Sequence, residues 1–208
     1  YNVAVGNNTM KANMNEAHYN TALGSGALAA LTEADYNTAI GLSSGEALTT
    51  GAYNTMMGSG SLKTATTATY NAAFGKDAMG SVKAGVAVSS CVAIGYAALE
   101  GNSSNTTGIN GTVSIGFQSL NALTSGGNNV AIGYQAATAL TTGASNTVIG
   151  HQAFDAADGG EEGNVAIGFS AMGAIDEGGG AANNNVCVGY NAGLGGATTL
   201  FSENTVIG

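Results

Sequence analysis

The sequence predicts an all-β fold, a parallel β-solenoid of about twelve short coils. The first observation is a motif that returns along the whole chain every 17 to 21 residues; its copy at 36–41 has the sequence Tyr-Asn-Thr-Ala-Ile-Gly. The second is an alternation of large and small residues inside each copy, with the period of two that is typical of a β-strand. Because one short coil cannot bury its apolar residues by itself, consecutive coils are expected to stack and share a core.

The repeat is defined by its final glycine, which occurs in twelve copies. These glycines are Gly6, Gly24, Gly41, Gly58, Gly75, Gly95, Gly116, Gly133, Gly150, Gly168, Gly189 and Gly208. No segment of the chain lies outside the array, and Pro is absent. We therefore expect a single domain, a repeat array over residues 1–208.

The residue before each glycine is large and apolar in every copy, and we expect this column to form a structural core ladder. Its members are Val5, Leu23, Ile40, Met57, Phe74, Ile94, Ile115, Ile132, Ile149, Ile167, Val188 and Ile207. The residue two positions earlier is Val or Thr in every copy except Ala72, and the residue between the two is mostly small, such as Ala131. A second short motif after the glycine ends in a large apolar residue, as in Ala27-Leu28. Each coil is therefore predicted to contain two short strands and a variable loop.

An asparagine begins ten of the twelve strands. This Asn ladder consists of Asn2, Asn20, Asn37, Asn54, Asn71, Asn129, Asn146, Asn164, Asn185 and Asn204. Two interpretations are open. Stacked Asn side chains can hydrogen-bond along a ladder, as in cross-β assemblies, or Asn is present only because it tolerates a turn backbone.

Aromatic residues divide the array into two halves, 1–80 and 90–208. In the first half Tyr precedes the Asn column, at Tyr1, Tyr19, Tyr36, Tyr53 and Tyr70. In the second half a ring follows the glycine, at Tyr96, Phe117, Tyr134, His151, Phe169 and Tyr190. Either the lateral contact surface changes midway along the array, or the repeats have simply drifted apart.

The charge balance argues against two classes of partner. Four Lys and Arg stand against thirteen Asp and Glu, which gives a formal net charge of −9. Nucleic acids and anionic lipids both select clusters of Lys and Arg, so we expect neither as a partner. We expect no membrane insertion, because no uninterrupted apolar run reaches the roughly 18 residues that a membrane-spanning helix needs.

No constellation of residues points to catalysis, a cofactor or a metal ion, so we predict that the chain is not an enzyme. Cys91 and Cys187 are five coils apart, about 24 Å by the strand spacing, which is too far for an intrachain disulfide. His18 and His151 lack a second ligand at metal-binding spacing. One acidic connector and the next could bind Ca²⁺ or supply a carboxylate pair, but we favour solvated loops because the Gly-Gly-x-Gly-x-Asp motif of calcium rolls is missing. The acidic residues are Asp155, Asp158, Glu161, Glu162, Asp176 and Glu177.

The cleanest copies of the motif, Asn-Val-Ala-Ile-Gly at 129–133 and 164–168, resemble the head repeat of trimeric autotransporter adhesins. Similar arrays, of the form Asn-Thr-Ala-Ile-Gly-Tyr-x-Ala-Leu, occur in phage tail-fibre proteins. The resemblance covers all 208 residues. It implies left-handed parallel β-rolls in which three chains wind about one axis, and the role of a surface adhesin or receptor-binding fibre. The adhesin repeat is shorter than the repeat found here, so a coil that closes on its own as a monomeric β-helix stays an alternative.

From the repeat and the resemblance we expect a structural fibre or filament protein with an adhesive or scaffolding role, located outside the cell, on the cell surface or on a virion. Both strand faces are apolar, so a second layer must cover each one, either from the same coil or from another chain. The expected partner is the chain itself, as a homotrimer or an end-to-end polymer, since neither end shows a Pro or charge cluster that would cap the stack. Surface glycans are a further candidate partner.

Two other functions are considered. A carbohydrate-binding or depolymerising phage tail protein would need an acidic groove across several coils, and the sequence shows only one acidic loop region. An ice-binding solenoid would need a flat array of Thr. Thr21, Thr38 and Thr55 align in one column, but Val92, Val113 and Val130 occupy that column later.

Overall fold

The computed structural model describes residues 1–102, 106–157, 159–174, 182–194 and 202–208. In these residues every regular element is a three-residue β-strand, one in each of twelve coils. The strands are β1 (Val3–Val5), β2 (Thr21–Leu23), β3 (Thr38–Ile40), β4 (Thr55–Met57), β5 (Ala72–Phe74), β6 (Val92–Ile94), β7 (Val113–Ile115), β8 (Val130–Ile132), β9 (Thr147–Ile149), β10 (Val165–Ile167), β11 (Val186–Val188) and β12 (Thr205–Ile207). Turns and bends connect them, and the described ranges contain no α-helix.

The strands form one sheet in which each pairs in parallel with the strands before and after it in the chain. The register places equivalent residues of consecutive coils side by side, so that Ile115, Ile132 and Ile149 are neighbours in one file. Each crossover between parallel strands is the remainder of one coil. The prediction of an all-β parallel solenoid is confirmed.

The second strand predicted for each coil is not found in the described residues, and that prediction is wrong. In the second coil the segment after Gly24 places alternate residues in the left-handed region, with φ of 72° at Gly26 and 48° at Leu28. The N–H of Leu28 donates to the carbonyl of Ser44 in the next coil (3.0 Å), whereas the N–H of Ala27 turns back to Gly24 (3.3 Å). Only alternate N–H groups of this segment donate to a neighbouring coil, and those between them turn back within the coil, so the segment is a turn rather than a strand.

Side chains from the strand, from the turn after the glycine and from the rest of the coil, such as Leu31, Leu48 and Leu140, fill the interior of the solenoid. The sheet contributes the middle residue of each strand, which is small in most coils and buried at Ala22, Ala39, Met56, Ala73, Ala93, Ser114, Ala131, Val148, Ala166 and Cys187. The turn opposite contributes larger residues, which include Leu28, Leu62, Met79, Leu99, Leu120, Phe154 and Met172. Because the coil is narrow, a small residue on the strand leaves room for a large one opposite.

The column predicted as the structural core ladder does form a ladder, but it is not in the core. Its members point away from the interior and are half-buried or exposed; the exposed fraction is 48% at Leu23 and 40% at Ile94. The same holds for the whole column: Val5, Leu23, Ile40, Met57, Phe74, Ile94, Ile115, Ile132, Ile149, Ile167, Val188 and Ile207. The physical reason is that each coil closes over the other side of the strand, which carries the middle residue.

The constant glycine is required by the stacking of the coils. Gly133 has a φ of 145°, and a Cβ atom added to it would lie 2.2 Å from the carbonyl oxygen of Gly150 in the next coil. Gly24 is in the same situation with respect to Gly41, at 2.3 Å. Any side chain in this column would therefore push neighbouring coils apart.

Candidate functional site

The outer face of the sheet is the candidate functional site, and it consists of the first and third residues of each strand. The first residue is Val or Thr in every strand except β5, where it is Ala72. The third residue belongs to the large apolar ladder described above. No residue of either column is charged in β1 to β12. A continuous exposed apolar face of this kind marks an interaction site in soluble proteins.

One aromatic ladder lies along the side where the strands begin, which we call the leading border and define as the position before the Asn column. Its rings are Tyr1, Tyr19, Tyr36, Tyr53 and Tyr70. Neighbouring rings are nearly parallel, with interplanar angles of 5° to 11° and centroids 4.9 to 5.5 Å apart. Partial desolvation in the stack raises the pKa of Tyr36, and the phenols of Tyr19 and Tyr53 raise it further.

A second ladder lies along the side where the strands end, the trailing border, which we define as the position after the constant glycine. Its rings are Tyr96, Phe117, Tyr134, His151, Phe169 and Tyr190, with centroids 4.9 to 5.2 Å apart. Lys76 occupies the same column one coil earlier. Its Nζ atom lies 5.1 Å from the centroid of the Tyr96 ring, a cation–π contact at the end of this ladder.

Ring stacking determines which parts of the aromatic side chains are accessible to a ligand. A ring inside either ladder has both of its faces covered by its neighbours, so that only its edge is open to solvent. The inner rings of both ladders therefore lack the open face on which a sugar would stack, and only the end rings, such as Tyr70 and Tyr190, have a face without a ring neighbour among the residues that the structure describes.

The Asn column forms a hydrogen-bonded ladder beside the outer face. In a representative rung, Nδ2 of Asn54 donates to Oδ1 of Asn37 in the preceding coil (2.9 Å) and to the carbonyl of Ala68 at the far end of its own coil (2.7 Å). Its Oδ1 accepts the backbone N–H of Asn71 in the next coil (3.1 Å). Each buried Asn thus joins neighbouring coils and also closes its own coil.

The Asn ladder is interrupted in the sixth and seventh coils, where Cys91 and Thr112 occupy the column. The backbone N–H of Cys91 still donates to Oδ1 of Asn71 (3.0 Å). The hydroxyl of Thr112 is buried and has no hydrogen-bond partner in the described part of the chain. A Thr side chain is shorter than Asn and carries no amide, so it cannot span two coils.

The cysteines and histidines do not form a reactive site in the described residues. Cys91 and Cys187 are buried and free, and burial raises the pKa of the Cys91 thiol to about 11. Nδ1 of His18 lies 3.8 Å from the carboxylate of Asp35 at the surface. His151 is a rung of the second aromatic ladder, between Tyr134 and Phe169.

The acidic connectors are only partly described, because Asp158, Asp176 and Glu177 lie outside the described residues. Glu161 is buried, and its Oε2 atom accepts the backbone N–H of Gly159 (3.1 Å). Burial raises the pKa of Asp155. Within the described ranges, no group of three or more His, Cys, Asp or Glu residues could hold a metal ion.

Comparisons with known proteins do not identify the chain: no protein-family model, curated protein or solved structure matches it significantly. In the described ranges, the structure also has no helix with the length and apolar character needed to cross a lipid bilayer. Function is therefore inferred from the repeat and from the geometry of the outer face.

Proposed function

We propose that the chain is a structural fibre or filament protein without catalytic activity, and that its copies associate through the outer face of the sheet. The observation that carries the proposal is the predominantly apolar outer face itself, which extends over all twelve strands and is not covered by any part of the chain that the structure describes. Removing apolar surface from water is favourable, so a face of this type favours a covering layer. A second copy of the chain supplies that layer.

The size of the outer face supports self-association. Eleven steps of about 4.8 Å give it a length of about 53 Å. Its width from leading to trailing border is less than the roughly 20 Å of six extended steps, because the leading-border residue and the constant glycine have positive φ. The area of the face with its two borders, at most on the order of 1,000 Å² per chain, is comparable to the roughly 800 Å² per partner of a typical stable protein interface.

The hydrogen bonds and ring contacts between consecutive coils support a mechanical role of the kind that a fibre has. Backbone hydrogen bonds join consecutive coils at the strands and at alternate turn residues. Asn side chains and stacked rings add further contacts in the same direction. An array in which every coil is tied to the next along several lines is stiff, and stiffness is the property that a scaffold or an adhesive stalk needs.

The finer features of the proposal are left-handed winding, a three-chain assembly and a location outside the cell, on the cell surface or on a virion. They are supported by the resemblance of the repeat to adhesin heads and tail fibres. The trimer is further supported by the outer face, which needs a covering layer that the coil does not provide.

The proposal is tested by measuring the molar mass of the chain in solution by sedimentation equilibrium. We expect a discrete oligomer, with three chains as the first expectation. The double variant Ile115→Ser, Ile132→Ser places polar groups on the outer face and should shift the chain towards monomer. Lys63→Ser, on the exposed turn beside Leu62, is the matched control and should leave the mass unchanged. A wild-type chain that stays monomeric over the whole accessible concentration range would refute the proposal.

The same preparation tests the two other functions. Binding on a glycan array, or hydrolysis of a polysaccharide by the monomer, would point to a carbohydrate-active tail protein. Thermal hysteresis that is lost in Thr38→Val would point to ice binding through the first outer column. We expect neither activity, because the faces of the inner rings are covered and the Thr column is interrupted by Val and Ala.

A further inference from the structure

We propose that the change of the aromatic ladder from the leading to the trailing border orients neighbouring copies of this chain, so that they pack parallel and level with one another. The inference rests on the proposed self-association through the outer face. It adds an orientation and an axial position, which the two aliphatic columns of that face cannot specify.

The aliphatic columns are too uniform to define an axial position. The third strand residue is large and apolar in all twelve strands, and the first is Val or Thr in all but one. Sliding one copy along another by one coil would therefore restore nearly the same aliphatic contacts. Repetitive faces of this kind specify register only weakly.

The aromatic residues break this uniformity at one place. In the first five coils the ring lies at the leading border, and the trailing border carries Asn7, Ser25, Leu42, Ser59 and Lys76. From the sixth to the eleventh coil the ring lies at the trailing border, and the leading border carries Ser90, Gly111, Asn128, Ser145, Gly163 and Asn184. Each of these eleven coils thus has one ring, and its side changes once, between Tyr70 and Tyr96.

The change of side makes the two borders complementary in a parallel assembly. When copies stand parallel around a common axis with their outer faces inward, the trailing border of one copy meets the leading border of the next. If the copies are level, every junction contains one ring at each of these eleven levels, supplied by one or the other of the two copies. A shift by one coil instead produces a level with two rings or a level with none.

An antiparallel arrangement brings leading border against leading border and trailing border against trailing border. When the ends of the copies are level, the two central coils have no ring at one junction and two at the other. Two bulky rings in one site or an unfilled space both disfavour close packing. An antiparallel pair offset by two coils avoids this conflict, but only ten coils of each copy then face each other, so the parallel, level arrangement is favoured because it matches the rings of all eleven coils.

The orientation is tested by spin-label distances in the associated protein. One label is attached at Ser43→Cys in the third coil, and a second sample carries it at Ser170→Cys in the tenth. Both positions lie in the turn after the glycine, off the two columns of the outer face, and the native cysteines are buried. Parallel and level copies give the same distance between like labels at both sites, with no separation along the axis. Antiparallel copies would separate like labels along the axis by about 34 Å at both sites when their ends are level, and by about 24 and 43 Å when they are offset by two coils, at about 4.8 Å per coil. Staggered copies would add whole coil steps at both sites. Either of these results overturns the inference while leaving self-association intact, whereas a monomer by sedimentation overturns both.

The role of the ladder change itself is tested with the double variant Ser90→Tyr, Tyr96→Ser, which moves the change by one coil. Both substitutions use residues already present in the same columns, and Ser90 has the same φ of 59° as Tyr70. The variant should associate with itself normally. After refolding together with the wild type, mixed assemblies should be several-fold rarer than random mixing predicts, as measured by native mass spectrometry of differently tagged chains. Tyr96→Phe keeps the ring and should mix at random, and random mixing of the double variant would overturn the inference.

Discussion

The inner and outer sides of the same strands differ in a way that residue size alone does not predict. In β8, the small inward residue Ala131 is fully buried, whereas its larger neighbour Ile132 lies on the outer face and is only half-buried. The inner side is enclosed by the turn of its own coil, and the outer side has no such cover. Burial here depends on where the coil closes, not on which residue is most hydrophobic.

Packing inside the coil is complementary between strand and turn. Gly45 occupies the turn position that holds Leu in neighbouring coils, and it lies against Met56, the largest middle-strand residue of the array. A Cβ atom at Gly45 would come within 2.9 Å of the Met56 sulfur and 3.0 Å of Leu28. The inner side therefore tolerates little change in volume, and the outer side has no comparable constraint.

The largest expected effect on the free energy of unfolding is the difference between a substitution on the inner side and the same substitution on the outer side. Leu62→Ala removes a fully buried side chain from the turn wall and should lower the free energy of unfolding by about 3 kcal/mol. Leu23→Ala makes the same chemical change on the outer face and should cost less than about 1 kcal/mol in dilute solution, while weakening self-association. Chemical denaturation of both variants measures the difference. Equal losses would contradict the assignment of inside and outside.

A somewhat smaller effect is expected at the Asn ladder. Asn54→Ala removes the bonds to Asn37 and Ala68 and leaves buried backbone groups unpaired, so the free energy of unfolding should fall by about 2 kcal/mol. The control is Asn13→Ala at an exposed position, which should change the free energy of unfolding by less than about 0.5 kcal/mol. If the Asn54 variant is as stable as the control, the ladder bonds do not stabilise the fold, and Asn is present only because it tolerates the turn backbone.

We expect a gain in the free energy of unfolding when the interruption of the Asn ladder is repaired. Thr112→Asn would let the new side chain accept the N–H of Asn129 and should raise the free energy of unfolding by about 1 kcal/mol. The backbone is suitable because Gly111, with a φ of 69°, matches Gly163, which precedes Asn164 with the same φ. Thr112→Val removes the unpaired hydroxyl without adding ladder bonds, so thermal unfolding should show a smaller gain. Equal gains in the two Thr112 variants would mean that the ladder bonds add nothing to the free energy of unfolding.

The smallest expected effect is a pH dependence on the outer side. Because the pKa of Tyr36 is raised above its ordinary value of 10.0, the folded chain binds its phenolic proton more tightly than the unfolded chain does. The associated stability is fully present below about pH 10 and is lost as the pH rises through the folded pKa. Unfolding measured from pH 8 to pH 11.5 should show this decline, and Tyr36→Phe should make it shallower. A decline that is identical in the two proteins would assign it to other groups.

Much of the fold could be predicted because the recurring motif puts equivalent residues above one another, although the spacing between copies varies from 17 to 21 residues. The glycine at the end of each motif, the Asn at its start and the alternation between them define one strand per coil and its in-register pairing. The second strand could not be predicted correctly, because its alternation also fits a turn with left-handed residues. Leu28 and Met79 adopt such φ values although neither residue favours them.

The candidate site was only partly predictable for a related reason. The two aromatic columns are visible in the sequence, since Tyr19 and Tyr36 occupy equivalent positions, and so do Phe117 and Tyr134. The position of Thr112 could be recognised from the sequence, because Thr112 interrupts the Asn column. The outward direction of the large apolar column could not be predicted from the sequence, since both sides of the strand are apolar.

The sequence by itself determined the coil, its repeat and the alignment of like residues along the axis, because a period that recurs twelve times leaves parallel in-register stacking as the way to satisfy every copy. The tertiary structure decided which side of the strand is the core. That choice depends on the direction in which the left-handed turn residues fold the rest of the coil, and an alternation of period two is the same whichever side is enclosed. The outer face, and with it the proposed contact between copies, follows from that one choice.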